Sequence, residues 1–408
     1  MKHILFVSNN PRKPSHIEPA IKKGYTISLI KNHPEPKDYD MFDHVLDTDL
    51  FDLNDVLEKV KSIHSKQKID GVLTRFEPYI PLVGVICDTL MIPGPSLQSC
   101  ISCRNKLSMR QKLQSFAVDQ PNFYDFKSTI PKKAYPLLVK PTKGAKSRYI
   151  MKANDPEEML KVVKYIQYLM ENSGHTLFRP INGIEKREND IIAEEILTGK
   201  QVTTTSFVVD KRVHHIDLAD VITSHDAGME GFHLLSRTTP STLSDREKRL
   251  VTNMATKAIE ALEINNSFLH PEIMLTEDGP KILEVAARVG GYRPEMTKLA
   301  FGIDLNEIAI EVSLGNTPKT KKKHDKAATA VEVWPVKSGR LKGFKRMDDV
   351  LSIRGVKSFK LKRVPGNIFH ADSIGTKPLA TFYTVADTPE KSKKIADQVL
   401  NTLEPIID

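Results

Sequence analysis

Along the first hundred residues, short solid apolar runs alternate with longer mixed stretches. His3-Ile-Leu-Phe-Val7 is a compact run of the buried-strand kind, closed by the turn-forming cluster Ser8-Asn-Asn-Pro-Arg-Lys-Pro14. Tyr25–Ile30, His44–Leu46 and Gly71–Thr74 repeat that signature, and Leu53–His64 has helical spacing. Strands alternating with helices predict a parallel sheet with helices on its faces. No Gly-x-Gly-x-x-Gly follows the first strand, so the dinucleotide-binding fingerprint is absent. This region is expected to supply architecture and one wall of a site.

Near Pro93-Gly-Pro-Ser96 the pattern changes. A helix is expected over Lys106–Phe116, then a strand from Tyr135 to Lys140 stopped by Pro141. Pro156, at a first helical position, opens an amphipathic helix whose apolar face is Met159, Val162, Val163, Ile166 and Met170. Ile191–Gly199 and Val202–Val209 read as two strands. Ser244 and Glu247 form a capping box before a helix with an apolar stripe of Leu250, Val251, Met254, Ala258, Ile259 and Leu262. Phe268–Leu275 and Pro280–Val285 read as a strand pair around the turn Glu277-Asp278-Gly279, and Gly315 closes a helix over Leu305–Leu314. The basic run Lys319–Lys326 has linker character. Beyond it, Ala328–Val336, Ser358–Val364 and Ala380–Val385 are expected strands, with a last helix from near Thr388-Pro389-Glu390. There is no internal repeat.

Composition narrows the functional classes. At about 150 residues per domain, 408 residues suggest two or three domains. Hydrophobic residues are 40% and charged residues 27%, as in ordinary globular proteins. The net charge is +9, but the basic residues are scattered, aromatics are only 7% and there is one tryptophan. That is a poor platform for stacking bases, so a phosphate-bearing small ligand is favoured over nucleic acid. Cys87, Cys100 and Cys103 are too few and odd in number for a disulfide framework. They fit free thiols in a reducing compartment, and no second ligand pair supports a zinc or redox role for Cys100 and Cys103. The N-terminal apolar run is too short for a signal peptide, and no stretch is long enough to span a bilayer, so a cytoplasmic protein without a membrane partner is expected.

Two clusters carry chemistry. Glu272 and Glu284 lie on the two strands of the expected pair, where they can converge. Two close carboxylates do not both ionise without a cation, and carboxylate plus phosphate oxygens are what Mg²⁺ takes in nucleotide sites. Arg288 follows with a planar fork for phosphate or carboxylate, beside Gly290 and Gly291. The bland alternative is a solvated hairpin with a surface arginine. The second cluster is Lys140, ending an apolar strand before Pro141-Thr-Lys-Gly-Ala-Lys-Ser147, a small-residue loop able to cradle phosphates. A strand bearing Glu194, Glu195 and Gly199 follows. His215, His225 and His233 lie in a stretch, His214 to Arg237, that could face a substrate, although a lone histidine is more often structural. Glu77, in Arg75-Phe-Glu-Pro78, could reach a substrate amine or simply sit at a helix start.

The order Lys106-Leu-Ser-Met-Arg110, Lys140, Glu194–Gly199, Glu272, Glu284 and Arg288 resembles the ATP-grasp superfamily over essentially the whole chain, and within it the L-amino acid ligases, which make dipeptides. The resemblance implies an α/β fold, α+β in part, with a Rossmann-like domain over 1–102, a small lobe and lid over 103–197, a large lobe over 198–322 and a C-terminal α+β segment over 323–408. It further implies that Lys106 and Lys140 contact ATP, that Glu194 meets the adenine amino group, and that Glu195 and Leu197 offer backbone to the adenine edge. Gln201 stands where many relatives carry a ribose-binding glutamate. Ser147 and its neighbours would form the phosphate lid. Ala286, within Glu284-Val-Ala-Ala-Arg288, cannot ligate metal, which leaves Glu272 and Glu284 for Mg²⁺ or Mn²⁺. Arg288 and Gly291 would hold the acyl phosphate or substrate carboxylate, with Tyr292, His233 and Glu77 lining the substrate pocket. The implied activity is ATP-dependent joining of a small-molecule carboxylate to an amine through an acyl phosphate, with Arg288 and Lys140 absorbing charge. The resemblance admits a homodimer. The alternatives are an ATP-grasp kinase that stops at phosphate transfer and a non-catalytic nucleotide-binding protein.

Overall fold

A computed structural model describes the chain except for residues 9–13, 127, 146, 186–190, 230, 336 and 370–376. Most of the turn cluster after the first strand, Lys146 of the phosphate loop and the end of the strand expected to reach Val336 therefore lie outside the described residues.

The alternation in the first hundred residues becomes a parallel sheet of β1 (His3–Val7), β2 (Thr26–Lys31), β3 (His44–Asp47) and β4 (Gly71–Thr74), ordered β3-β2-β1-β4. Every residue of β1 and β2 is buried, the pattern of strands covered on both faces. Helices α1 (Glu18–Lys22), α2 (Pro36–Met41), α3 (Leu53–Lys66) and α4 (Ile80–Leu90) connect the strands or follow the last of them. Asp52 caps α3 by accepting from the Asn54 and Asp55 amides, and Val56, Val60 and Ile63 form its buried stripe. Helices α5 (Leu97–Arg104) and α6 (Lys106–Ser115) then lead out of the domain. All three cysteines are buried and free. Burial pushes the Cys87 thiol up to about 12, as befits an inert core residue.

The small lobe is an antiparallel sheet of β5 (Phe123–Asp125), β6 (Leu137–Pro141), β7 (Met151–Ala153) and β8 (Ile191–Glu195), ordered β5-β8-β6-β7. Helix α7 (Pro156–Asn172), capped by Asp155, lays Met159, Val162, Val163 and Ile166 against Leu137, Val139 and Tyr149. The segment leaving this lobe runs back into the first domain. Ile181 is fully buried in that domain's core, the Asn182 amide donates to the Phe51 carbonyl at 3.0 Å, and Arg179 stacks over the Phe51 ring.

The large sheet contains β9 (Lys200–Val209), β10 (Arg212–Thr223), β11 (Leu234–Thr239), β12 (Ser267–Thr276), β13 (Gly279–Ala286) and β14 (Ala327–Val333). The C-terminal segment adds β15 (Gly339–Lys345), β16 (Val356–Leu361), β17 (Ile368–Phe369), β18 (Ala380–Ala386) and β19 (Glu404–Ile407). Among the described residues the order in the large sheet is β13-β12-β9-β10-β11-β14-β18-β16, while β17-β15-β19 form a separate small sheet. Helix α8 (Asp245–Ala261) opens with the expected Ser244–Glu247 capping box and packs on one face. Its stripe is Val251, Met254, Ala258, Ile259 and Leu262. Leu250, expected in that stripe, is 42% exposed because it lies at the stripe's edge. Helices α9 (Arg293–Phe301) and α10 (Leu305–Ser313) cover the opposite face. Helix α10 also backs the first sheet, with Ile310 and Leu314 packed among Ile4, Phe6 and Leu29. A Cβ on Gly71 would stand 2.9 Å from the Ser313 carbonyl oxygen, so that approach needs a glycine.

The expected boundary at 322/323 crosses a continuous sheet. Strand β14 pairs with β11 in antiparallel register, Arg237 opposite Ala330 and Thr239 opposite Ala328. The basic run is tied to α9, with the Lys323 and Lys326 amides donating to the Phe301 and Ala300 carbonyls. Helix α11 (Met347–Ser352) and α12 (Pro389–Thr402) complete the C-terminal segment. No helix among the described residues is long and apolar enough to cross a membrane.

Candidate active site

Strands β12 and β13 form a hairpin in which Glu272 stands directly opposite Glu284. Residues opposed in this way share a face and bring their side chains together. Their side chains are 25% and 22% exposed, so both are largely buried yet still reach solvent. Glu272 is met by Arg237 Nη2 at 3.3 Å, His270 Nε2 at 3.4 Å and Gln201 Nε2 at 3.4 Å, and Glu284 by Lys106 Nζ at 3.4 Å. Burial raises both carboxyls, but for Glu272 the adjoining His270 ring and the Arg237 charge outweigh it and hold the group at about 2. For Glu284 burial wins over Lys106, with Glu77 and Glu272 adding repulsion, and the carboxyl is pushed above its ordinary value. Two opposed carboxylates pulled apart in this way are a poor apolar core and a good bed for a divalent cation. No group of three or more His, Cys, Asp or Glu side chains poised to hold a metal occurs among the described residues. Two carboxylates are a partial oxygen shell, of the kind a divalent ion fills out with further oxygens such as those of a phosphate.

The second cluster lies at the junction of the lobes. Lys140 at the end of β6 reaches Glu194 on the neighbouring β8, Nζ to Oε2 at 2.6 Å. Arg110 on α6 grips the same carboxylate with both arms, Nε to Oε1 at 3.0 Å and Nη2 to Oε2 at 3.2 Å, and also donates to the Ile282 and Leu283 carbonyls of β13. Burial would raise Glu194, but Arg110 and then Lys140 hold it at about 2. Burial pulls the Lys140 ammonium down against the opposing pull of Glu194. Glu194, expected at the adenine amino group, is here 2% exposed with both oxygens engaged. It is the counter-ion that fixes Lys140.

Around this junction the remaining nucleotide candidates take distinct places. Lys106 donates to the Gly144 carbonyl at 3.3 Å, so one ammonium links the phosphate loop to Glu284. Ser147 is exposed at the loop's far end with φ +52. The Glu195 carboxylate turns away to Asn122, leaving Glu195 and Leu197 only backbone to offer. Gly199 follows at φ +149, where a Cβ would lie 2.2 Å from the Leu275 carbonyl oxygen. Gln201, at the expected ribose position, instead donates to Glu272.

Beyond the hairpin, Arg288 donates through Nε to the Glu77 carboxylate and through Nη1 to the Val289 carbonyl at 3.2 Å. Glu77 is 4% exposed, and its Oε1 is buried without a partner. The residue expected at a substrate amine is thus, in this structure, the partner that orients Arg288. Gly290 is required by packing, since its Cβ would fall 2.9 Å from the His270 ring, whereas Gly291 opens on free space. Tyr292, at the start of α9, donates its hydroxyl to Glu332 of β14. The buried Arg293 ties α9 to the sheet through Asp217 and Thr205. His233 stacks on Trp334 at 4.3 Å, so the C-terminal segment supplies part of the wall. His215 is held by Ser206 and Thr256, while the exposed His225 stacks on Phe232. Arg110, Arg237 and His270 were not assigned roles from sequence. Arg110 closes the motif Lys106-Leu-Ser-Met-Arg110 and His270 lies two residues before Glu272, whereas Arg237 has no local signal.

Two opposed carboxylates with Lys106 and Lys140 beside them, and a small-residue loop in contact with Lys106, form an arrangement suited to the phosphates of a nucleotide. An ATP-grasp domain model matches residues 133–295 and an ATP-grasp N-terminal domain model matches 17–94, together more than half of the chain. Alanine–anticapsin ligase of Bacillus subtilis strain 168 is 25% identical over 322 residues, covering 72% of this chain and 65% of that protein. The L-arginine-specific L-amino acid ligase of Bacillus subtilis is 21% identical, covering 84% of this chain and 81% of that one. The crystal structure of L-amino acid ligase from Bacillus licheniformis superposes with a TM-score of 0.82 at 20% identity, over 100% of this chain and 99% of that one. The chain belongs to the ATP-grasp superfamily, and among its members it is similar to the ATP-dependent ligases that form carbon–nitrogen bonds.

Proposed function

We propose that the chain is an ATP-dependent carboxylate–amine ligase that forms an amide or peptide bond between amino acids through an acyl phosphate. The observation that carries the reading is the Glu272–Glu284 pair, opposed across one hairpin and ringed by Lys106, Arg237 and Arg288. Glu272 and Glu284 would hold Mg²⁺, with Mn²⁺ as a substitute, and the ion supplies charge neutralisation on the phosphates. Lys140, aimed by Glu194, and Lys106 sit where they can meet the ATP phosphates. A substrate carboxylate attacks the γ-phosphate, ADP leaves, and Arg288, locked by Glu77, steadies the charge on the acyl phosphate. Gly291 leaves room beside it. An amine then displaces phosphate and forms the amide. Ser147 and its loop exclude the water that would otherwise hydrolyse the intermediate. Tyr292, His233 and the Trp334 wall bound the substrate pocket. The protein on this reading acts on small molecules in the cytoplasm, and a homodimer is compatible with it. The test is a phosphate-release screen over pairs of amino acids, with other carboxylates and amines. Phosphate release that depends on the amine is expected. Amine-independent acyl phosphate formation would make it a kinase, and no ADP with any pair would make it a binding protein.

A further inference from the structure

Arg237 has no part in the steps above, yet it is the cation in contact with Glu272. It projects from β11, its side chain 12% exposed. A guanidinium carries five N–H donors. Nη2 meets Glu272 Oε1 at 3.3 Å, the buried Nε has no partner, and Cζ lies 6.0 Å from the centre of the Tyr292 ring. Buried donors in native proteins are nearly always paired, so an unfilled one beside a cleft marks the place of an anion that the protein does not supply. Arg237 and a divalent ion are moreover rivals for one carboxylate oxygen, since two cations repel at that range. Arg288 lacks this freedom because Glu77 and Val289 hold it. Tyr292 is fixed on its far side by Glu332, and it offers the displaced guanidinium an aromatic face.

We propose that Arg237 and the divalent cation exchange at Glu272, and that the displaced guanidinium takes the carboxylate of the amine-donating amino acid, the one that is not phosphorylated. The proposal rests on the ligase reading for its substrate and on the carboxylate pair alone for the exchange. Metal–nucleotide binding and amino-acid binding are then coupled, each strengthening the other by the same factor.

The test has two arms. In the first, Mn²⁺ binding in the presence of ADP is followed by electron paramagnetic resonance for the wild type, Arg237→Gln, Arg237→Lys and, as a control that should lose the ion, Glu272→Gln. Loss of a partly buried competing charge should tighten Mn²⁺ binding in Arg237→Gln by about three- to tenfold. Arg237→Lys, which keeps the charge, should bind Mn²⁺ like the wild type. Equal Mn²⁺ affinity in Arg237→Gln and wild type overturns the exchange. In the second arm, the amine-donating amino acid found by the phosphate-release screen is compared with its carboxamide. Arg237→Lys should raise KM for the acid by about tenfold or more, since an ammonium cannot make the bidentate contact, and should raise KM for the amide far less. Equal losses on acid and amide would make Arg237 a structural counter-ion and overturn the anchoring. A variant too unstable for the first arm is covered by Arg237→Lys in the second. A screen that finds no substrate sinks the ligase reading while the Mn²⁺ arm still decides the exchange.

Discussion

Removing Arg288 should damage stability and catalysis by separate routes, and a second substitution can pull them apart. Arg288→Ala leaves the Glu77 carboxylate 4% exposed, with one oxygen already unpartnered and the other abandoned. An uncompensated buried charge of this kind costs about 3–5 kcal/mol. The catalytic loss follows from a preorganised donor missing at the acyl phosphate, roughly 10²–10³ in kcat, or about 2.7–4 kcal/mol. Glu77→Gln added to Arg288→Ala removes the stranded charge, so most of the lost stability should return. The lost kcat should not, because no fork faces the transferring group. ATP affinity should change little in either variant, since Lys106 and Lys140 remain. Urea unfolding gives the stability, steady-state phosphate release the kcat, and calorimetry with ATP the affinity. Unchanged kcat in Arg288→Ala, or recovery of kcat together with stability in the double variant, would refute the argument.

Glu284→Gln should abolish turnover and weaken Mn²⁺ binding while leaving the melting temperature of the metal-free protein equal or higher, because repulsion with Glu272 and Glu77 is relieved; a lower melting temperature with intact metal binding would contradict this. Glu194→Gln should flatten acid unfolding. Its folded carboxyl lies at about 2 against an ordinary 4.5, so its contribution is fully present above the ordinary value and is lost as pH falls towards 2. At 1.36 kcal/mol per unit this is about 3 kcal/mol, and urea stability measured from pH 6 down to pH 2 should show a steeper fall in the wild type than in the variant.

The parts of this fold legible in the sequence are those where local and tertiary demands agree. Helices α7 and α8 announce themselves through one apolar stripe and a cap at Asp155 or Ser244, and the structure buries those stripes. The hairpin carrying Glu272 and Glu284 is equally local, because its turn and both strands lie within twenty residues. Helix α4 was invisible for the opposite reason. Ile80-Pro-Leu-Val-Gly-Val-Ile is buried on nearly all sides, so no stripe separates it from a strand. Leu250 shows the limit of a stripe, which fixes a helix face but not its edges. The cations around the site are harder still. Arg110 reaches Glu194, and Arg237 reaches Glu272, only after distant strands have assembled. The joining of β14 to β11 across the basic run has the same origin, since a lysine-rich surface segment reads alike whether it ends a domain or spans a turn within one.

The intrusion of α10 and Ile181 into the first domain has a consequence for how the protein is made. The sheet of β1–β4 is translated first, but Ile310 and Leu314 close one side of its core and Ile181 fills part of the other. At about 5–20 residues per second, the ribosome delivers the last of these residues tens of seconds after β2 has emerged. The N-terminal domain must wait half-dressed through that interval, with Ile4, Phe6 and Leu29 covered only by its own Ile17, Ala20 and Phe42. Excising residues 1–102 as an independent fragment would therefore yield a chain whose core was designed to be finished by someone further down the line.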